Sequence, residues 1–311
     1  MTVRISLISP ARWERAVTFS YGVCAIIPEF REPFGWEGAP LKRHKLDAPN
    51  GAIAICESEG PGPAVVLIHG NSSSSRAFSR QLDGPVGKRL RLVAVDLPGH
   101  GASDDAKDPS AYSLPGHARA IRAVVDALGL EQALFIGWSL GGHVALEIAP
   151  DVKSARGFVI FGTPPLTSRE GMGEAFLRNP AMRFAFQESI DRGEASTYLA
   201  AFFRPGFADI PPFFLDDILR TDGRARSGLA ANAATGGYHD EIAVVRDLKV
   251  PLAVLQGADE QLVNGHYFAS LVMPTLWRGA VQTIPAAGHT PQWETPEAFD
   301  ALIEAFIAEM V

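Results

Sequence analysis

Short apolar runs, each closed by glycine, proline or a polar turn, recur along this chain. Their length is what most constrains the fold. Ala64–His69 ends at Gly70, and Leu90–Asp96 is closed by Leu97-Pro98-Gly99-His100-Gly101. Ala133–Trp138, Gly157–Gly162, Leu252–Gly257 and Val281–Pro285 follow, and Gly51–Ser58 alternates like a strand. Such runs suit strands buried on both faces of a parallel sheet. Between them the period changes to that of a helix. In Gly116–Leu130, Ile121, Val124, Val125 and Leu128 fall on one face, with Gly129 placed to stop the helix. The final segment is capped by Thr295 and opened by Pro296, and Phe299, Leu302, Ile303, Phe306, Ile307 and Met310 form one stripe. Strand–helix alternation of this kind predicts a mostly parallel central sheet with helices on both faces.

The alternation fails twice. Residues 1–45 are broken by Arg, Glu and Pro and fit no element of the pattern, so they read as an N-terminal extension to which no role is assigned. Residues 166–247, about 80 in all, are too many for a loop. They read as an inserted helical cap over the C-terminal edge of the sheet, where open α/β folds bind ligands. The core is then 46–165 together with 248–311. The cap carries Phe176, Phe184, Phe186, Phe202, Phe203, Phe207, Phe213 and Phe214, eight of the chain's 18 phenylalanines. A small cap needs a core of its own, and that is the first expectation for them; lining an apolar pocket is the second.

Composition excludes several classes of function. With 311 residues and 47% hydrophobic content the chain buries a large core without disulfides or metal. Its net charge of −7 offers no basic stripe for nucleic acid. Cys24 and Cys56 read as two ordinary thiols. No apolar run reaches the ~18 residues of a membrane span, and the best stretch, Ala16–Ile27, makes a poor signal peptide. A cytoplasmic protein, monomeric or homodimeric, is the expectation.

Gly137-Trp138-Ser139-Leu140-Gly141 lies where a strand gives way to the helix Leu140–Ala149, which stops at Pro150. A serine on such a tight turn is pushed into the cleft, and flanking glycines are needed where a side chain would meet neighbouring backbone. Its alcohol needs a base. Among eight histidines, His289 lies in Ala286-Ala287-Gly288-His289 after the last strand, on a loop that reaches the sheet's C-terminal edge. His69 and His100 read as loop supports, His143 as packed, and His44, His117, His239 and His266 as surface or loop residues. The base needs an acid to hold its tautomer. Asp259 and Glu260 both follow Leu252–Gly257, and spacing from Gly257, with Val263 as the small apolar residue beyond, favours Glu260. Two backbone donors for an oxyanion are expected at Leu140, directly after the serine, and at Asn71 in His69-Gly70-Asn71. Ser72–Ser75 read as turn and capping residues. No H-E-x-x-H and no G-x-G-x-x-G after the first strand is present, so neither metal nor cofactor is expected.

His69-Gly70-Asn71, Asp96 through Ser103, Gly137 through His143 and Ala287-Gly288-His289 together resemble the α/β-hydrolase superfamily over about residues 46–311. A narrower likeness rests on Ile68 through Ser74, Gly162-Thr163-Pro164-Pro165, Arg220 through Arg226 and the Asp259-Glu260 pair. These are similar to the metal-independent N-acylhomoserine lactonases of that superfamily. The resemblance implies the α/β-hydrolase fold, a serine hydrolase that opens a lactone ring by Ser139, His289 and Glu260, and pocket residues at Asn71, Trp138 and Tyr198. Its partner would be a small-molecule acyl lactone or ester. A carboxylesterase on small or medium-chain esters is the alternative, and a non-catalytic ligand receptor is a further one. A haloalkane dehalogenase needs aspartate where Ser139 stands.

Overall fold

The computed structural model describes residues 26–28, 41–167 and 171–310. Most of the expected N-terminal extension, including Cys24 and most of Ala16–Ile27, lies outside them. Nine strands form one sheet among the described residues: β1 (Ile26–Pro28), β2 (Lys42–Leu46), β3 (Ile53–Glu57), β4 (Ala64–Ile68), β5 (Arg91–Val95), β6 (Leu134–Trp138), β7 (Gly157–Phe161), β8 (Leu252–Gly257) and β9 (Gln282–Ile284). Their order is β1-β2-β3-β5-β4-β6-β7-β8-β9. The first four in that order pair antiparallel and the remaining pairs are parallel. This is the α/β-hydrolase fold.

The central apolar runs become strands because they bury both faces, whereas β9 at the sheet edge buries only Ile284. In β4, Val65 and Leu67 point into one hydrophobic cluster, Val66 and Ile68 into the other. Helices α1 (Ser79–Leu82) and α2 (Pro85–Arg89) fill the first crossover. Helix α3 (Leu114–Leu128) starts at Ser113, whose hydroxyl accepts from Gly116 N–H, and ends at Gly129 in the left-handed conformation at φ 64°. Its buried face is Ile121, Val124 and Val125, each worth roughly 1.5–3 kcal/mol against exposure. Helix α4 (Leu140–Ile148) packs beside it in the same cluster.

The sheet begins earlier than the sequence reading placed it, within the stretch read as an extension. Lys42–Leu46 pairs along its length with β3, turning His44 and Leu46 inward. Charged residues at three of its five positions hide it from a hydrophobicity pattern, and charge is a usual way to blunt a strand near a sheet edge.

Between β7 and β8 the chain leaves the sheet. The inserted segment carries α5 (Met172–Ala175), α6 (Arg192–Ala200), α7 (Pro212–Arg220), α8 (Gly223–Thr235) and α9 (Glu241–Asp247). A capping box of Asp191 and Glu194 starts α6. After β9, α10 (Pro291–Glu294) leads into α11 (Pro296–Met310), whose Phe299, Ile303 and Phe306 pack under the sheet. No helix among the described residues is long and apolar enough to cross a membrane.

Candidate active site

Ser139 lies between β6 and α4, at the N-cap of α4, with φ 53° and ψ −118°, a backbone conformation costing of order 1–3 kcal/mol in a non-glycine residue. Its surroundings hold it there. Its N–H donates to Phe161 O at 2.9 Å, and Thr163 Oγ1 donates to its carbonyl at 2.8 Å. The flanking glycines are forced by the packing. A Cβ on Gly137 would sit 2.3 Å from Gly141 O, and one on Gly141 would sit 2.0 Å from Ile68 O. The serine stays partly exposed while Trp138 and Leu140 on either side are buried. Leu140 is the first residue of α4, and the opening N–H groups of a helix have no carbonyl one turn back.

His289 sits on the loop after β9, with its side chain 3% exposed. Its Nδ1 donates to Glu260 Oε2 at 2.8 Å, and Glu260 Oε1 accepts from Leu262 N–H at 2.8 Å. A carboxylate only accepts, so Nδ1 carries the proton and the neutral ring keeps its lone pair on Nε2. Asp259, the other candidate acid, is exposed. Two residues that sequence reasoning missed hold this loop. Glu294, its carboxylate buried, accepts from Gly288 N–H at 2.8 Å and from Thr290 Oγ1 at 3.0 Å. Gly162, at φ 60°, leaves room for the imidazole, since a Cβ there would meet His289 Cε1 at 2.6 Å. Glu294 belongs to no motif, and Gly162 entered only as part of the Gly162-Thr163-Pro164-Pro165 likeness, with no role of its own. A glycine ending a β7-type strand was the available signal, and it reads equally as a turn.

Ser139, His289, Asn71, Leu140, Trp138 and Tyr198 all line one cavity of about 140 Å³, well above the ~10–15 Å³ that one water needs. Trp138 Nε1 donates to His289 O at 2.7 Å, and its ring meets Phe202 edge-on at 5.7 Å. Phe202 in turn meets Tyr198 at 4.7 Å. Burial raises the Tyr198 phenol above its ordinary pKa. Asn71 spans core and insertion, its side-chain amide donating to Ala185 O at 2.8 Å. The phenylalanines of the insertion divide between the two expectations: Phe176, Phe186 and Phe202 line the cavity, while Phe184, Phe203 and Phe214 are buried in the cluster behind it.

The remaining histidines sort by environment. His69 is fully buried with both nitrogens engaged, Nδ1 with Gly70 O at 2.7 Å and Nε2 with Leu97 N–H at 2.9 Å. His100 is buried against it, ring centroids 5.2 Å apart, with Nδ1 on Pro98 O. Two expectations are corrected here. His117 is no surface residue but fully buried beside His100, and burial pushes its pKa down to about 3. His44 is buried too, 3.3 Å from Glu57, because the inward face of β2 carries it; desolvation lowers its pKa. His239 and His266 are exposed. His143 does more than pack: its ring lines the cavity and pairs with Glu241 at 2.8 Å.

Polar clamps fasten the insertion. Asp217 of α7, fully buried, accepts from Ser74 Oγ at 2.7 Å and pairs with Arg76. Burial raises its carboxyl to about 7 against the pull of Arg76. Thus Ser74 serves a docking contact as well as capping its own turn, where it accepts from Arg76 N–H at 3.2 Å. Asp222 pairs with Tyr112 and Arg224, and Arg226 reaches Gln187 O at 2.7 Å. The Arg220–Arg226 stretch is therefore built into the insertion's attachment, away from the cavity lining. Phe176 bridges to Val263, joining the insertion to the loop that carries Glu260. Among the described residues no group of three or more His, Cys, Asp or Glu is arranged to hold a metal ion.

The chain matches the model of the alpha/beta hydrolase family over residues 65–302. It is similar to a solved variant of the N-acyl homoserine lactonase AidH complexed with N-hexanoyl homoserine, at 38% identity and TM-score 0.84, covering 88% of this chain and 98% of that one. It is also similar to the pimeloyl-[acyl-carrier protein] methyl ester esterase of Xylella fastidiosa strain 9a5c. That likeness is 29% identical over 272 residues, 82% of this chain and 98% of the esterase. A third relative is a 2-hydroxy-6-oxononadienedioate/2-hydroxy-6-oxononatrienedioate hydrolase of a Pseudomonas species, at 24% identity over 83% of this chain and 93% of its own length.

Proposed function

This chain belongs to the alpha/beta hydrolase family, and from that premise we propose that it opens the lactone ring of N-acylhomoserine lactones by serine acyl transfer. Ser139 is the nucleophile, His289 the base and Glu260 the acid that orients it. The observation that carries the reading is the cavity: a serine on a strained turn and a glutamate-paired histidine open into one space whose other walls are mainly apolar. The likeness to AidH, at 38% identity, supports the lactone as substrate.

In the proposed reaction Ser139 Oγ attacks the lactone carbonyl and gives its proton to His289 Nε2. The N–H groups of Leu140 and Asn71 hold the oxyanion, and losing one such donor typically costs about 10²–10³ in rate. The ring oxygen leaves, protonated by His289, and stays tethered as the homoserine hydroxyl. Water, deprotonated by His289, then attacks the acyl-enzyme and frees the N-acylhomoserine. Glu260 stabilises the imidazolium at each stage. The inserted segment acts as a cap, with Met172, Phe176, Met182, Phe186 and Leu229 facing the acyl chain. Asn71, Trp138 and Tyr198 border the ring.

A carboxylesterase reading is favoured by the Xylella relative, an esterase of comparable length. The two separate by rate. Mass-monitored hydrolysis of an acyl-homoserine lactone series should show gain of one water with wild-type protein, faster than cleavage of short p-nitrophenyl esters. Rapid ester cleavage with inert lactones would overturn the lactonase reading and leave the esterase.

A further inference from the structure

Two imidazoles line the cavity with a glutamate on Nδ1. One is His289. The other is His143, whose Nδ1 lies 2.8 Å from Glu241 Oε1 and 3.0 Å from Oε2. Glu241 has 2% of its side chain exposed, and its Oε2 also accepts from Leu166 N–H at 2.8 Å, so the carboxylate is locked from two sides. The same reasoning that fixes the His289 tautomer applies: Nδ1 bears the proton, and a neutral ring offers its lone pair at Nε2. With Nδ1 taken and the ring in the cavity wall, Nε2 is the polar atom His143 presents. Leu114, Leu140, Leu166, Leu229, Asn232 and Tyr238 also line the cavity. An accessible acceptor in a mainly apolar cavity gives a polar substrate group one specific partner.

We propose that His143 Nε2 is a hydrogen-bond acceptor subsite for a hydroxyl on the acyl arm of the substrate, which rests on the lactonase reading above. His143 follows Ser139 by one helical turn, about 6 Å along the axis of α4. In an N-acylhomoserine lactone, six bonds lead from the attacked carbonyl carbon to an oxygen on the third acyl carbon. Extended, that path spans roughly 7 Å. A 3-hydroxyl donates to the Nε2 lone pair. A 3-oxo group turns its own lone pair toward it, and an unsubstituted chain gives it nothing.

The test is kcat/KM for unsubstituted, 3-oxo and 3-hydroxy lactones of one chain length. Wild-type protein should prefer the 3-hydroxy substrate over the unsubstituted one by about 3- to 10-fold, the worth of one hydrogen bond, with the 3-oxo substrate last. His143→Leu should bring the 3-hydroxy preference to about unity or below. His143→Gln, whose amide oxygen still accepts, should keep part of it. A wild-type ratio at or below unity, or one that His143→Leu leaves intact, overturns the subsite while the lactonase reading stands. A His143→Gln ratio equal to that of His143→Leu overturns the acceptor assignment. Failure to open any lactone removes both readings together.

Discussion

The sheet and the segment inserted between β7 and β8 hold their cavity-facing residues by different means. The sheet side relies first on backbone, with the Glu260 and Glu294 carboxylates securing His289 and its loop. Ser139 is set by a turn that two glycines permit, and His289 by a loop for which Gly162 leaves space. The inserted side relies on side chains from distant parts of the chain: Asp217 with Ser74 and Arg76, Asn71 with Ala185 O, Glu241 with His143. Backbone placement resists substitution elsewhere because a turn has few alternative geometries. Side-chain placement is modular, so single changes on the inserted side should alter stability and selectivity before they alter chemistry.

The largest effect should come from the sheet side. Ser139→Ala should lower kcat by about 10⁶-fold, the scale on which loss of a triad nucleophile acts, measured on any lactone the wild type opens. A loss under tenfold would remove Ser139 from the reaction. Glu260→Ala should cost about 10⁴-fold, whereas Asp259→Ala, at an exposed position, should leave rate and stability near wild type. The reverse pattern would transfer the acid to Asp259.

On the inserted side, Asp217→Ala should cost ~3–5 kcal/mol of stability by breaking a buried pair, read from denaturant midpoints. A shift under 1 kcal/mol would mean that this clamp is dispensable. The core has its own pH signature. The pKa values of His69, His100 and His117 are depressed by burial, so the unfolded chain binds their protons first. Their contribution is complete above about pH 6.5 and is lost as pH falls toward 3, the His117 value. His117→Leu should flatten the slope of stability against pH across that window, and an unchanged slope would exclude His117 as a source. The smallest effect is graded. If the insertion's apolar wall binds the acyl chain, kcat/KM should rise up to about fourfold per added methylene until the cavity is filled. A flat series would separate the insertion from substrate selection.

Legibility follows the same division. β4 through β8 are readable because burial on both faces demands unbroken apolar runs, β3 through its alternation, and helix α3 because Ser113 and Gly129 punctuate an amphipathic stripe. β2 was not, since its charged edge positions carry no apolar run. His117 and His44 were misplaced because histidine burial depends on which neighbours fold over it, a fact of packing rather than of adjacent sequence. His143 and Glu241 lie 98 residues apart and share no motif.

By itself the sequence determined the sheet from β3 onward, the turn that carries Ser139, and the candidate partners His289 and Glu260. Each follows from local chemistry: apolar periodicity, glycine where backbone must pass close, and fixed spacing after a strand. Only the tertiary structure decided which phenylalanines face the cavity and that a second glutamate-held imidazole shares it, and it brings Glu260, which spacing already favoured over Asp259, onto His289. Those outcomes depend on side chains brought together across long sequence separations, where burial and hydrogen-bond competition, not local pattern, select the partner.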